Sequence, residues 1–269
     1  MALDSLSIAK LVIYMILAPG ATYCLWKHGR RGFFAWFYVQ VFCVLRIASG
    51  GISLHTSDNQ LTSTVVNSIG LSPLMLACAG ILHEVVHTCI PDANRLLELT
   101  LDINYHGIVA LGMVLTIVAV VKLESGADDS FDTMLSLLKA GAGISALAFA
   151  LLVVWAISTF QRVKNMRSSR KGPQTRPGMI LLYGALIVLP FIALRLAYGM
   201  AFLLLRVDRP SSPFIRSLAA MTVLEVVPEL IITIAYLTAG FLSRDIQQQT
   251  RIMTREEGTS MVTNVSDKQ

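Results

Sequence analysis

Seven apolar runs, each long enough to cross a bilayer, take up most of this chain. They lie at about 8–26, 33–54, 64–87, 103–123, 134–160, 179–205 and 218–242. A helix rises about 1.5 Å per residue, so roughly 20 apolar residues match a hydrocarbon core about 30 Å thick. Inside that core every backbone N–H and C=O must find a partner within its own segment, which a helix provides. The expected fold is all-α: a polytopic membrane bundle of seven transmembrane helices over residues 1–242. A polar, charge-balanced tail follows at 243–269 and is expected to be cytosolic and disordered.

Composition serves mainly to exclude. The chain is 54% hydrophobic and 14% charged, whereas a soluble domain carries roughly 25% charged residues. No stretch between the spans is long enough for a separate nucleotide-binding or catalytic domain. The net charge of +5 comes from bases gathered in two loops without interleaved aromatics, so nucleic acid is not an expected partner. No cofactor motif is present, and no cofactor is expected. The expected partners are the membrane and a hydrophobic small-molecule substrate or lipid. Cys24, Cys43, Cys78 and Cys89 form no C-x-x-C pair and read as small buried residues. Ala18-Pro-Gly-Ala21 resembles a signal-peptide cleavage region. The basic cluster follows that run and six more spans come after it, so it reads as a membrane helix.

Basic residues in short loops orient the bundle. The first loop carries Lys27, Arg30 and Arg31. The fifth carries Arg162, Lys164, Arg167, Arg170, Lys171 and Arg176 with no acid. The fourth carries Glu124, Asp128, Asp129 and Asp132. The N-terminus is therefore expected on the lumenal or extracellular side and the C-terminus in the cytosol. The third and sixth loops fit this less well, and nothing indicates the organelle.

The last span, 218–242, carries two carboxylates, Glu225 and Glu229, with Pro228 between them. Their spacing puts them on one helical face about one turn apart. Arg46 in the second span and Arg195 in the sixth lie at related depths. Ionisable groups in a membrane span are costly and usually have a partner or a task. Two readings stay open. In one, the four residues form a polar clamp between helices. In the other, Glu229 is deeper and incompletely paired, so it stays protonated and acts as a general acid or proton carrier. Glu229 and then Glu225 are the catalytic candidates, and Arg46, Arg195 and Tyr198 the binding candidates.

His83-Glu84-Val85-Val86-His87 spells H-E-x-x-H. On a helix this puts His83 and His87 on one face, where they can hold zinc beside a general-base glutamate. A third ligand would have to come from Asp92, Glu98, Asp102 or His106, which follow unusually closely. The alternative is that these residues sit at a partly wet helix end.

An internal echo links the two halves. Arg46-Ile-Ala-Ser-Gly50 matches Arg195-Leu-Ala-Tyr-Gly199, and Thr64-Val-Val-Asn67 matches Thr222-Val-Leu-Glu225. This suggests 3+1+3 parallel repeats with sites near the repeat interface. Ala140-Gly-Ala-Gly143 makes the fifth helix narrow. Pro19, Pro73, Pro190 and Pro228 can each kink a helix.

The stretch 30–51, RRGFFAWFYVQVFCVLRIASGG, and Ile69-Gly-Leu-Ser-Pro73 resemble a fungal family of seven-helix integral membrane proteins of unknown function. So do Arg195 with Tyr198 and Pro228-Glu229 through Gly240. That resemblance implies a fold and no activity. In architecture alone the chain is similar to fungal membrane-bound terpene cyclases and to fungal lipid-translocating exporters. The first likeness implies an acid-initiated terpene or meroterpenoid cyclase of fungal secondary metabolism acting on a prenylated substrate. The alternatives are a transporter or lipid-handling protein, and a receptor-like or scaffold protein with a structural Arg/Glu cluster.

Overall fold

A computed structural model describes residues 2–55, 69–90, 95–125, 131–168, 176–208, 214 and 217–244. Among them every regular element is helical, and seven helices are long and apolar enough to cross a membrane. In chain order these are α1 (Ser5–Gly29) and α2 (Gly32–Leu54), α3 (Leu71–Cys89) and α4 (Arg95–Ser125). They are followed by α5 (Phe131–Ser168) and α6 (Arg176–Asp208), and by α7 (Leu218–Leu242). The expected fold class holds. Of the repeat echo, the segment 64–68 lies outside the described residues, as does the tail beyond 244.

The first turn is tight. Helical structure runs from Ala2 to His55 and is broken at Gly29, with φ 55° and ψ −148°. Glycine reaches that left-handed region without the strain a side chain would bring. Tyr14 meets Phe42 edge-on at 5.5 Å, and His28 lies against Trp36 at 4.7 Å. α1 and α2 therefore return along each other as an antiparallel hairpin.

α3 is the hub. Of its most apolar window 78% is buried inside the bundle, against 17% for α1, and it touches the hairpin of α1 and α2 as well as α4, α5 and α6. Small residues make this possible. A Cβ on Gly80 would lie 2.6 Å from the backbone nitrogen of Ala35, so α2 and α3 meet backbone to backbone. α4 and α5 pair in the same way, since a Cβ on Gly141 would lie 2.6 Å from Thr116 Oγ1. The narrow fifth helix is thus used at Gly141. Gly143, with nothing within 4 Å, takes no part in it.

The helices outrun their apolar segments. α5 has 38 residues, roughly 57 Å at 1.5 Å per residue, and carries exposed Arg162 and Lys164 on its last turns. The apolar run marks the hydrocarbon, while the polar residues beyond it are still good helix formers. Lys27, Arg162 and Lys164 lie at one end of the bundle, called here the basic end, where α1, α3, α5 and α7 finish. Pro19 and Pro190 sit inside helices. Pro73 lies in the first turn of α3, where its missing N–H breaks no helical bond.

Candidate functional site

α7 begins with Ser217, whose hydroxyl accepts from Ala220 N–H at 3.2 Å. At Thr222–Val226 it widens into a π turn, and Val227 N–H reaches back to the Thr222 carbonyl. Pro228 follows at the start of the regular segment Val227–Leu242. It has no N–H to give, so one carbonyl of the preceding turn loses its α-helical partner. π turns of this kind frequently mark functional sites. Glu225 lies within the wide turn and Glu229 just beyond it, and both are buried.

Both carboxylates face cations from three other helices. Glu229 Oε1 accepts from Arg46 Nη2 of α2 and from Arg195 Nε of α6, the latter at 2.7 Å. Glu225 Oε1 accepts from Lys10 Nζ of α1 at 3.4 Å, and Arg195 Nη2 stands 3.9 Å away. The arginines are supported from behind. Arg46 Cζ lies 5.2 Å above the Phe42 ring, and Arg195 Cζ lies 6.0 Å from the Tyr198 ring. Gly70 packs directly on the Arg46 guanidinium, and a Cβ on Gly199 would come within 3.1 Å of Arg195 Nη1.

This geometry corrects one expectation. Glu229 is the acid held by both arginines, and Glu225 is the more loosely held. Arg195 spans the helical turn between them, with Nε on Glu229 and Nη2 toward Glu225. Depth along each helix was legible in the sequence, but the lateral reach of a long guanidinium side chain was not. The echo of arginine followed by glycine also diverges. Gly199 supports Arg195, whereas Gly50 faces α1, with Leu11 Cβ at 3.1 Å.

A cavity of about 90 Å³ adjoins this cluster between α3, α4, α5, α6 and α7. Arg195, Glu225 and Tyr198 lie on its wall, with Ser72, Thr116 and Ser145 adding hydroxyls. The remainder is apolar and includes Met75, Met113, Met200 and Met221. Several wall residues, among them Met113, Met200 and Met221, are partly exposed, so the space is not sealed. Arg46 and Glu229 are not on its wall.

His83 and His87 do share a face, their rings 4.4 Å apart and nearly perpendicular. Glu84 does not join them. It is buried and takes His28 Nδ1 at 2.7 Å, while His28 Nε2 meets the Gly240 carbonyl at 3.1 Å. A carbonyl only accepts, so Nε2 carries a hydrogen, and a further proton lies in the contact between Nδ1 and Glu84. The pair ties α1, α3 and α7 together near the basic end. Glu98 pairs with Arg162 at 3.1 Å, and His106 Nδ1 meets its own helix at the Asp102 carbonyl, 2.7 Å away. Among the described residues no three His, Cys, Asp or Glu side chains converge as a metal site. Asp92 lies outside them. Helical spacing aligns the two histidines, while among the described residues the helix pairing turns Glu84 and Glu98 toward His28 and Arg162. All four cysteines are buried thiols, as expected.

Sequence reasoning missed Lys10 and His28. Lys10 sits near the start of an apolar run, where a lysine ordinarily reaches out to water. His28 sits among loop bases. Neither position carries a local signal that it turns inward.

Residues 1–246 match the model of a family described as Domain of unknown function (DUF7702), and the chain belongs to that family. No curated protein and no solved structure matches it.

Proposed function

We propose that this member of the family is a lipid-handling membrane protein that binds an amphipathic small molecule in the cavity between α3 and α7. The observation that carries this reading is the wall itself: an unsealed apolar space inside a membrane bundle, with an Arg195–Glu225 ion pair at its polar side. Mostly apolar walls with a few convergent polar groups are the usual composition of small-molecule sites. The methionines favour an apolar chain of variable shape, since their unbranched thioethers repack easily.

Acid-initiated cyclisation is less well supported. Its initiating acid must carry a proton and face the substrate. Glu229 accepts from two guanidiniums and is absent from the cavity wall, and Glu225, which is on the wall, stands between Lys10 and Arg195. The cavity is about 90 Å³, below the roughly 300–1,000 Å³ typical of sites that enclose a drug-sized ligand. A lipid-handling role asks only that a head group and the first carbons of a chain enter. The grouping of Lys27, Arg162 and Lys164 at one end, with Asp132 at the other, supports a cytosolic basic end and an N-terminus on the opposite side.

Mass spectrometry of lipid released from purified protein tests the reading, comparing wild type with Ala142→Phe, which puts a ring into the cavity. The expected result is a discrete amphipathic species retained by wild type and at least tenfold depleted in the variant. Equal recovery from both would leave the ion cluster a purely structural clamp, as in a receptor-like or scaffold protein.

A further inference from the structure

The loosest contact of the ionic cluster is also the one beside the cavity. Arg195 Nη2 and Glu225 Oε1 are 3.9 Å apart, close enough to attract but too far to hydrogen-bond. An oxygen can lie about 2.8 Å from both atoms at once. To bond both, it must give a hydrogen to the carboxylate and offer a lone pair to the guanidinium. A hydroxyl does this. A carboxylate head would lie against Glu225, and an ammonium head against Arg195, with Lys10 Nζ only 3.4 Å from the same carboxylate oxygen. Contacts between like charges are most costly where water is excluded.

Resting on the reading of the cavity as an amphipath's site, we propose that its ligand class is the uncharged long-chain alcohol, with the hydroxyl bridging Glu225 and Arg195. Selectivity then lies at the head. The cavity of about 90 Å³ is smaller than the roughly 150 Å³ engineered cavity that takes benzene, so it holds the head and the first carbons only. Met75, Met113 and Met200 adapt to whatever chain follows. Chain length should therefore matter less than head-group charge.

The test is photo-crosslinking of the full chain in lipid nanodiscs by a diazirine-bearing dodecan-1-ol, with unlabelled competitors. Dodecan-1-ol and decan-1-ol should each lower labelling of wild type at least fivefold, and dodecanoate and dodecylammonium less than twofold. Glu225→Gln removes the charge that rejects a carboxylate, so dodecanoate should become an effective competitor there. Equal competition by all three head groups, better competition by either ion, or no gain for dodecanoate in Glu225→Gln would overturn the alcohol assignment and leave the cavity site standing. Absence of competable labelling in wild type, or labelling undiminished in Ala142→Phe, would overturn the cavity reading itself. Met113→Trp, at a partly exposed wall position, replaces Ala142→Phe if that variant does not fold.

Discussion

Replacing Glu229 with glutamine should destabilise this protein far more than the same change at Glu225. The amide keeps the shape and removes the charge, so Arg46 and Arg195 are left facing a neutral group in a buried site. Glu229 accepts two hydrogen bonds from charged donors, each worth about 1.5–3 kcal/mol. Breaking a buried ion pair from one side costs about 3–5 kcal/mol. Both routes converge on about 4 kcal/mol. Glu225 has one long hydrogen bond to Lys10 and the 3.9 Å contact to Arg195, and its loss should cost about 1–2 kcal/mol. At about 2–4 °C per kcal/mol for a chain of this order of size, Glu229→Gln lowers Tm by about 8–16 °C and Glu225→Gln by a few degrees. Thiol-reactive thermal-shift measurements suit the assay, because Cys24, Cys43, Cys78 and Cys89 are buried until the bundle opens. Adding Arg46→Met to Glu229→Gln should recover part of the loss by removing one of the two guanidiniums that faced the lost carboxylate. If Glu225→Gln proved the more damaging, or Glu229→Gln stayed within about 1 kcal/mol of wild type, the assignment of Glu229 as the locked acid would be wrong.

Three further outcomes follow from local geometry. His28→Ala leaves Glu84 buried without its ring partner and should cost about 3–5 kcal/mol, with His28→Ala/Glu84→Leu closer to wild type, read by the same thermal shift. Gly29→Ala meets a left-handed φ of 55° and should cost about 1–3 kcal/mol, whereas Gly51→Ala, with nothing within 4 Å of its Cβ, should leave Tm unchanged or slightly raised. Gly80→Leu would drive α2 and α3 apart at Ala35, and size-exclusion profiles should show loss of the monodisperse species, since the clash is with backbone rather than a yielding side chain.

The bundle was legible because the bilayer imposes its own length and polarity on each span. Every expected run has a helix, and the runs 33–54 and 218–242 coincide with Gly32–Leu54 and Leu218–Leu242 to within a residue. What lay beyond reach was lateral. Arg46, Arg195, Glu225 and Glu229 could be named as one cluster from depth alone, but depth does not say which acid each arginine meets. His83 and His87 were placed on one face by helical spacing, and they do share it. The partner of Glu84 was not foreseeable, because His28 is 56 residues away, at the end of α1 just before the turn at Gly29. Gly32 makes room for that contact, since a Cβ there would lie 2.8 Å from Glu84 Oε2.

The division of labour between the two acids has a local cause in α7. In an unbroken α-helix, residues four apart sit on nearly one face, and Glu225 and Glu229 would both point between Arg46 and Arg195. A π turn acts as a one-residue insertion, so the face before it is offset by about 100° from the one a continuous α-helix would present. Val227 N–H bonds five residues back, and Pro228 has no N–H with which to restore the tighter pattern. Met221 and Glu225, before and within the wide turn, line the cavity, whereas Glu229, after it, lies between Arg46 and Arg195. Pro228→Ala returns the missing donor and permits a regular helix through this region. It should therefore weaken alcohol competition at the cavity more than it changes Tm, while Pro19→Ala, far from the turn, should change neither. Unaltered competition in Pro228→Ala would separate the cavity from the π turn and refute this account of the two acids.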